Sequence, residues 1–64
     1  MTLTVDVTYQ WPGCSQQREK YSHVKRIERG ICRGNEMLKV FLSPTDVKMY
    51  NAATVKDVVL QIEN

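Results

Sequence analysis

Leu3, Val5, Val7, Tyr9 and Trp11 alternate without a break against Thr2, Thr4, Asp6, Thr8 and Gln10. A period of two sends all five apolar side chains to one face of a strand and the polar ones to the other. β-branched and aromatic residues suit the pleated surface. The segment therefore reads as a half-buried strand over 2–11. A lone strand satisfies neither its backbone nor its apolar face, so the rest of the chain must supply partner strands and a cover for that face. Pro12-Gly13 closes the strand, because proline has no N–H for the ladder and the pair favours a turn.

The chain has 64 residues. That is one domain, 1–64, with a thin core. Domains of this size usually hold a margin of only a few kcal/mol unless a staple or a second subunit helps. The apolar share of 42% and charged share of 25% are those of a globular protein, not a disordered one. No apolar run reaches the length of a membrane span. Met1–Asp6 carries neither the basic nor the apolar part of a secretory leader, so a cytoplasmic location is expected.

Gly34-Asn35 sits between two apolar-bearing segments and marks a hairpin. Glycine at the first central position suits a type II′ turn. This turn sets Arg33 against Glu36, Cys32 against Met37, Ile31 against Leu38, Arg29 against Val40 and Ile27 against Leu42. Ile27, Ile31, Leu38, Val40 and Leu42 then share one face, with Arg29 the single misfit. The arms are expected near 23–33 and 36–42, with a charged loop or short helical turn at 14–21. Residues 15–29 also admit a helix, capped by Ser15 and ended by Gly30, with Tyr21, Val24 and Ile27 three apart.

Ser43-Pro44-Thr45-Asp46 is a turn signal. Val47 and Met49 alternate with Lys48 and Tyr50, which suggests a short strand at 47–51. Thr54 can cap a helix over 54–63, where Val55, Val58, Val59 and Ile62 fall at i, i+3, i+4 and i+7. The expected architecture is α+β: a three- or four-stranded antiparallel sheet with one C-terminal helix on one face. The alternative has βαββα order, with the extra helix at 15–29.

The chemistry-bearing residues are sparse. Cys14, Cys32 and His23 make at most three soft ligands, one short of a structural zinc site. No cofactor is expected. A disulfide between Cys14 and Cys32 requires an oxidising compartment, so reduced thiols are expected, Cys32 partly buried in the hairpin and Cys14 in a loop. Cys14, His23 and Asp6 have no spacing that supports a nucleophilic assembly. The glycines form no phosphate-cradling loop. A non-enzymatic protein is the expectation.

Charge is uneven. Between Arg18 and Arg33, six basic residues face two acids, whereas the remainder has three basic residues and five acids. Arg18, Lys20, Lys25, Arg26, Arg29 and Arg33 are thus candidate phosphate contacts for a nucleic-acid partner. Tyr9, Trp11, Tyr21 and Tyr50 are candidate stacking surfaces, although a core or edge role is the favoured reading of Tyr9 and Trp11, which lie on the apolar face of the first strand. The other reading is a protein-interaction or inhibitor module. It would use the same basic surface against an acidic protein, or pair through an exposed strand edge, with the first strand the natural one. A thin core also favours a homodimer.

Overall fold

The computed structural model describes residues 1–63, and they form an all-β fold. β1 (Thr2–Tyr9), β2 (Gln17–Tyr21), β3 (Arg26–Cys32), β4 (Asn35–Phe41), β5 (Val47–Asn51) and β6 (Val55–Glu63) make two three-stranded antiparallel sheets. One has the order β2-β1-β6 and the other β3-β4-β5. There is no helix among the described residues, which corrects the α+β expectation at both candidate positions.

The C-terminal segment is a strand for reasons visible in its composition. Val58, Leu60 and Ile62 alternate with Asp57, Val59 and Gln61, so 55–63 carries a period of two as well as the helical spacing. Four of its nine residues are β-branched, which costs a helix and suits a sheet. β1 decides the matter, because its second edge needs a partner. β6 supplies it along nearly its whole length, with Leu3 opposite Ile62, Val5 opposite Leu60 and Val7 opposite Val58. Thr54 caps no helix; its hydroxyl donates to the Asn51 carbonyl at 2.7 Å within the β5–β6 turn.

The helix proposed for 15–29 is also replaced. Gln17, Glu19 and Tyr21 line one face of β2, and Arg18 and Lys20 line the other. His23 then takes a left-handed conformation, φ 57°, that no right-handed helix passes through. The next two residues tie the sheets together. The Val24 N–H donates to the Leu3 carbonyl at 3.0 Å and the Lys25 N–H to the Phe41 carbonyl at 2.8 Å. The chain therefore changes sheets between Val24 and Lys25.

The hairpin exists, but its turn lies one residue earlier than expected. Cys32 pairs with Asn35, so the loop is Arg33-Gly34. Both loop residues have positive φ, 52° and 80°, as a type I′ turn requires. The register moves by two: Arg29 faces Leu38, Ile31 faces Glu36 and Ile27 faces Val40. A shift of two leaves every side chain on its expected face. Cys32 is exposed rather than partly buried, as is Cys14. Arg33 bears the cost of a left-handed non-glycine residue. Arg33→Asn creates the favoured Asn-Gly pair and is expected to stabilise the fold by about 1 kcal/mol, read from the urea midpoint. An unchanged or lowered midpoint would contradict the I′ assignment.

The sheets face one another across Val5, Val7, Val24, Leu38, Val40 and Tyr50. The fully buried side chains are three valines, Val5, Val7 and Val40, so the core is thin. β2 lies over β5, where the Tyr21 and Tyr50 hydroxyls meet. β6 lies over β3 and β4, where Val55 and Val58 share an opening with Arg29 and Leu38. β1, expected to offer a free edge, is instead central and paired on both sides.

Candidate functional site

The six basic residues do not form one surface. Arg18 and Lys20 sit on the outer face of the β1 sheet, beside Thr8 and Asp6. Arg18 is bound there by Asp6, with its Nε 2.9 Å from both carboxylate oxygens. That hydrogen bond holds the Asp6 carboxyl below the ordinary range. Arg26 lies on the outer face of the other sheet, over the Phe41 ring at 4.1 Å and 3.0 Å from Glu28. Arg29 is on the inner face of β3, facing the opening beside β6. Lys25 is in the crossing and Arg33 in the hairpin turn. Strand alternation and the change of sheet at Val24 disperse a segment that is continuous in sequence.

The four candidate aromatics do come together. Tyr9, Trp11, Tyr21 and Tyr50 line a cleft of about 260 Å³ with Glu19, Lys48, Met49 and Thr54. Glu19 is on the inner face of β2, directly opposite Val7. Its Oε1 accepts from the Tyr9 hydroxyl at 2.6 Å, and its Oε2 accepts from the Tyr21 hydroxyl at 2.5 Å. The Tyr50 hydroxyl donates between the Tyr21 oxygen and, at 3.2 Å, Glu19 Oε2. The hydrogen bonds from Tyr21 and then Tyr9 keep the Glu19 carboxyl below its usual range, so it is ionised at neutral pH. Burial, followed by the contact with Tyr21, pushes the Tyr50 hydroxyl far up. Tyr9 and Tyr50 pack with ring centroids 5.2 Å apart and tilted by 53°. Sequence reasoning passed over Glu19, whose signal was the Gln17-Glu19-Tyr21 alternation.

The third feature is the free edge of β6. β6 pairs with β1 on one side, and its other side has no strand partner among the described residues. Leu60 and Ile62 point to the inner face, yet they are 56% and 67% exposed; Val59 on the outer face is 46% exposed. The flank between β6 and β3 opens into a groove of about 460 Å³ that includes Arg29, Leu38 and Val58. Ile31, two residues beyond Arg29 on the same face of β3, is 80% exposed. One side of the sandwich therefore carries exposed Ile31, Leu60 and Ile62 beside a groove edged by Arg29, Glu36, Lys56 and Asp57. The alternation of Val58, Leu60 and Ile62 was the signal for it.

Among the described residues, no helix is long and apolar enough to cross a membrane. No protein-family model matches the chain, and neither a curated protein nor a solved structure is detectably similar to it.

Proposed function

We propose that this chain is a non-enzymatic binding domain that works through the free edge of β6, and that the partner this edge fits is a second copy of the chain. The observation that carries the reading is a nine-residue unpaired edge bearing exposed Val59, Leu60 and Ile62. Natural edge strands are normally shortened, charged or covered, because unpaired N–H and C=O groups recruit another strand. β6 has no charged residue between Asp57 and Glu63.

Self-pairing is favoured by register. A two-fold axis perpendicular to the sheet keeps inner faces together, and centring it on Val59 pairs Asp57 with Gln61, Val58 with Leu60 and Val59 with its own copy, all within the regular part of the strand beyond the β-bulge at Lys56. Val58 then faces Leu60 twice on the inner face, and Val59 faces its own copy on the outer face. No like charges are opposed. Sliding the centre to Leu60 sets Asp57 against Glu63, which is destabilising. The Val59 register thus combines matched apolar pairs with no opposed like charges.

The surface area agrees. The chain exposes 4718 Å², about 500 Å² more than the roughly 4,200 Å² of a typical monomer of its 7.4 kDa mass. Its radius of gyration is 12.1 Å, against about 11 Å for a compact chain of this length. Covering that excess on two copies removes about 1,000 Å², the lower bound of a specific interface. Sedimentation over a range of concentrations tests the reading. The average mass is expected to rise from 7.4 kDa toward twice that value; a monomer at every concentration would contradict it.

A second reading, nucleic-acid contact, is favoured by one observation. Lys20, Lys25, Arg29 and Arg33 have no carboxylate within ion-pair distance among the described residues. Lys25, Arg29 and Arg33 lie along β3 and its ends, and β3 lies over β6, so a β6 pair brings two such strands toward each other. Duplex binding on this reading weakens steeply with salt, and Arg29→Ala with Arg33→Ala flattens that dependence. Binding that ignores salt, or a double variant with an unchanged slope, would remove it.

A further inference from the structure

The cleft around Glu19 has the parts of an organic-cation site. Its carboxylate is ionised and held by tyrosine hydroxyls on both oxygens. None of its partners is a cation within ion-pair distance. Lys48, the one cation lining the cleft, directs its Nζ to Asp46 at 3.7 Å and leaves its aliphatic stem in the wall. The remaining walls are Tyr9, Trp11, Tyr21, Tyr50, Met49 and Thr54. Trp11 is 51% exposed, far more than a core tryptophan, and is positioned at the rim by a backbone bond from the Cys14 N–H to its carbonyl.

We infer that this cleft binds a methylated ammonium group, seated against Trp11 and its neighbouring tyrosines with Glu19 as the counter-charge. Ring faces and a fixed carboxylate attract a cation together, and the attraction grows when the cation sheds water easily. The hydrogen-bond count selects the kind of cation. Oε2 accepts from Tyr21 and in part from Tyr50, and Oε1 from Tyr9, so of about four acceptor sites roughly one, on Oε1, remains for an N–H donor. A primary ammonium or guanidinium would leave donors unmet. A quaternary ammonium has none, and its methyl groups pack on the rings. The cleft volume, about 260 Å³, holds such a head group with room for the chain that bears it.

Trp11 is the single tryptophan of the chain, so its fluorescence reports this cleft directly. The probes are choline and its neutral isostere 3,3-dimethyl-1-butanol, titrated into the intact protein. Choline is expected to give a saturable change with a Kd of about 1 mM, which corresponds to roughly two cation–π contacts of about 2 kcal/mol each, and the alcohol none. Glu19→Gln keeps the shape and removes the charge, and is expected to weaken choline about tenfold. Lys48→Met, a change at an exposed side chain, removes the opposing charge and is expected to tighten choline severalfold. This second variant keeps the test informative if Glu19→Gln perturbs the tyrosine network. No saturation by choline, an equal response to the alcohol, or a Lys48→Met variant that binds no tighter would overturn the site.

Discussion

Leu38→Ala is expected to remove most of the domain's stability. Leu38 is in the central strand of its sheet, between Arg29 and Tyr50, and packs with Val5, Val7 and Val40 in the buried cluster. Truncating a buried leucine removes its transfer energy and leaves a cavity, together about 3 kcal/mol. A single core in a chain this small supplies only about 3–5 kcal/mol in total. The cavity has few neighbours able to close it, because the fully buried side chains around it are valines held by strand backbones. Urea unfolding followed by circular dichroism reads the loss. A midpoint lowered by less than the equivalent of about 1 kcal/mol would mean that the two sheets are not held by this cross-sheet contact.

Val59→Lys is expected to abolish self-association while leaving the fold intact. Val59 is on the outer face of an edge strand and half exposed, so its own copy is the chief partner it loses. In the two-fold register the residue is opposite itself, which roots two lysine side chains about 5 Å apart at Cβ across the axis. Apolar contact is replaced by repulsion, and the edge acquires the charge that natural edge strands use against pairing. The dimer is expected to weaken by at least about tenfold, which corresponds to roughly 1.4 kcal/mol. Val59→Glu brings the same repulsion across the axis with the opposite sign, at the added cost of facing Asp6 on β1. Sedimentation that still shows a dimer for either variant would exclude the Val59-centred axis.

What the sequence disclosed depended on how many patterns each segment satisfied. Leu3 through Tyr9 alternate and fit nothing else, so β1 was legible, although the strand ends at Tyr9 and leaves Trp11 at the cleft rim. The hairpin was legible in kind, but Gly34 suits both the first position of a II′ turn and the second of an I′ turn. Only the positive φ of Arg33, an unusual residue there, chooses between them. Residues 55–63 satisfied the helical and the strand period together, and the arbiter was the unpaired edge of β1, a tertiary fact. The candidate sites divided the same way. The four aromatics converge because β1, β2 and β5 meet at one end of the sandwich, whereas the basic residues of 18–33 diverge because the strands alternate and the chain changes sheets at Val24. Proximity in sequence had stood for proximity in space, and in β structure it often does not.

Mixing the two charge variants tests the β6 pairing most directly. Val59→Lys and Val59→Glu chains, each monomeric alone, are expected to form a one-to-one heterodimer when combined, because a lysine and a glutamate then face each other at the two-fold axis. Native mass spectrometry separates this species from either parent. A heterodimer from two monomeric parents is the expected result. Parents that dimerise unmixed, or a mixture that remains monomeric at concentrations where the native chain pairs, would contradict a protein built to work through the edge of β6.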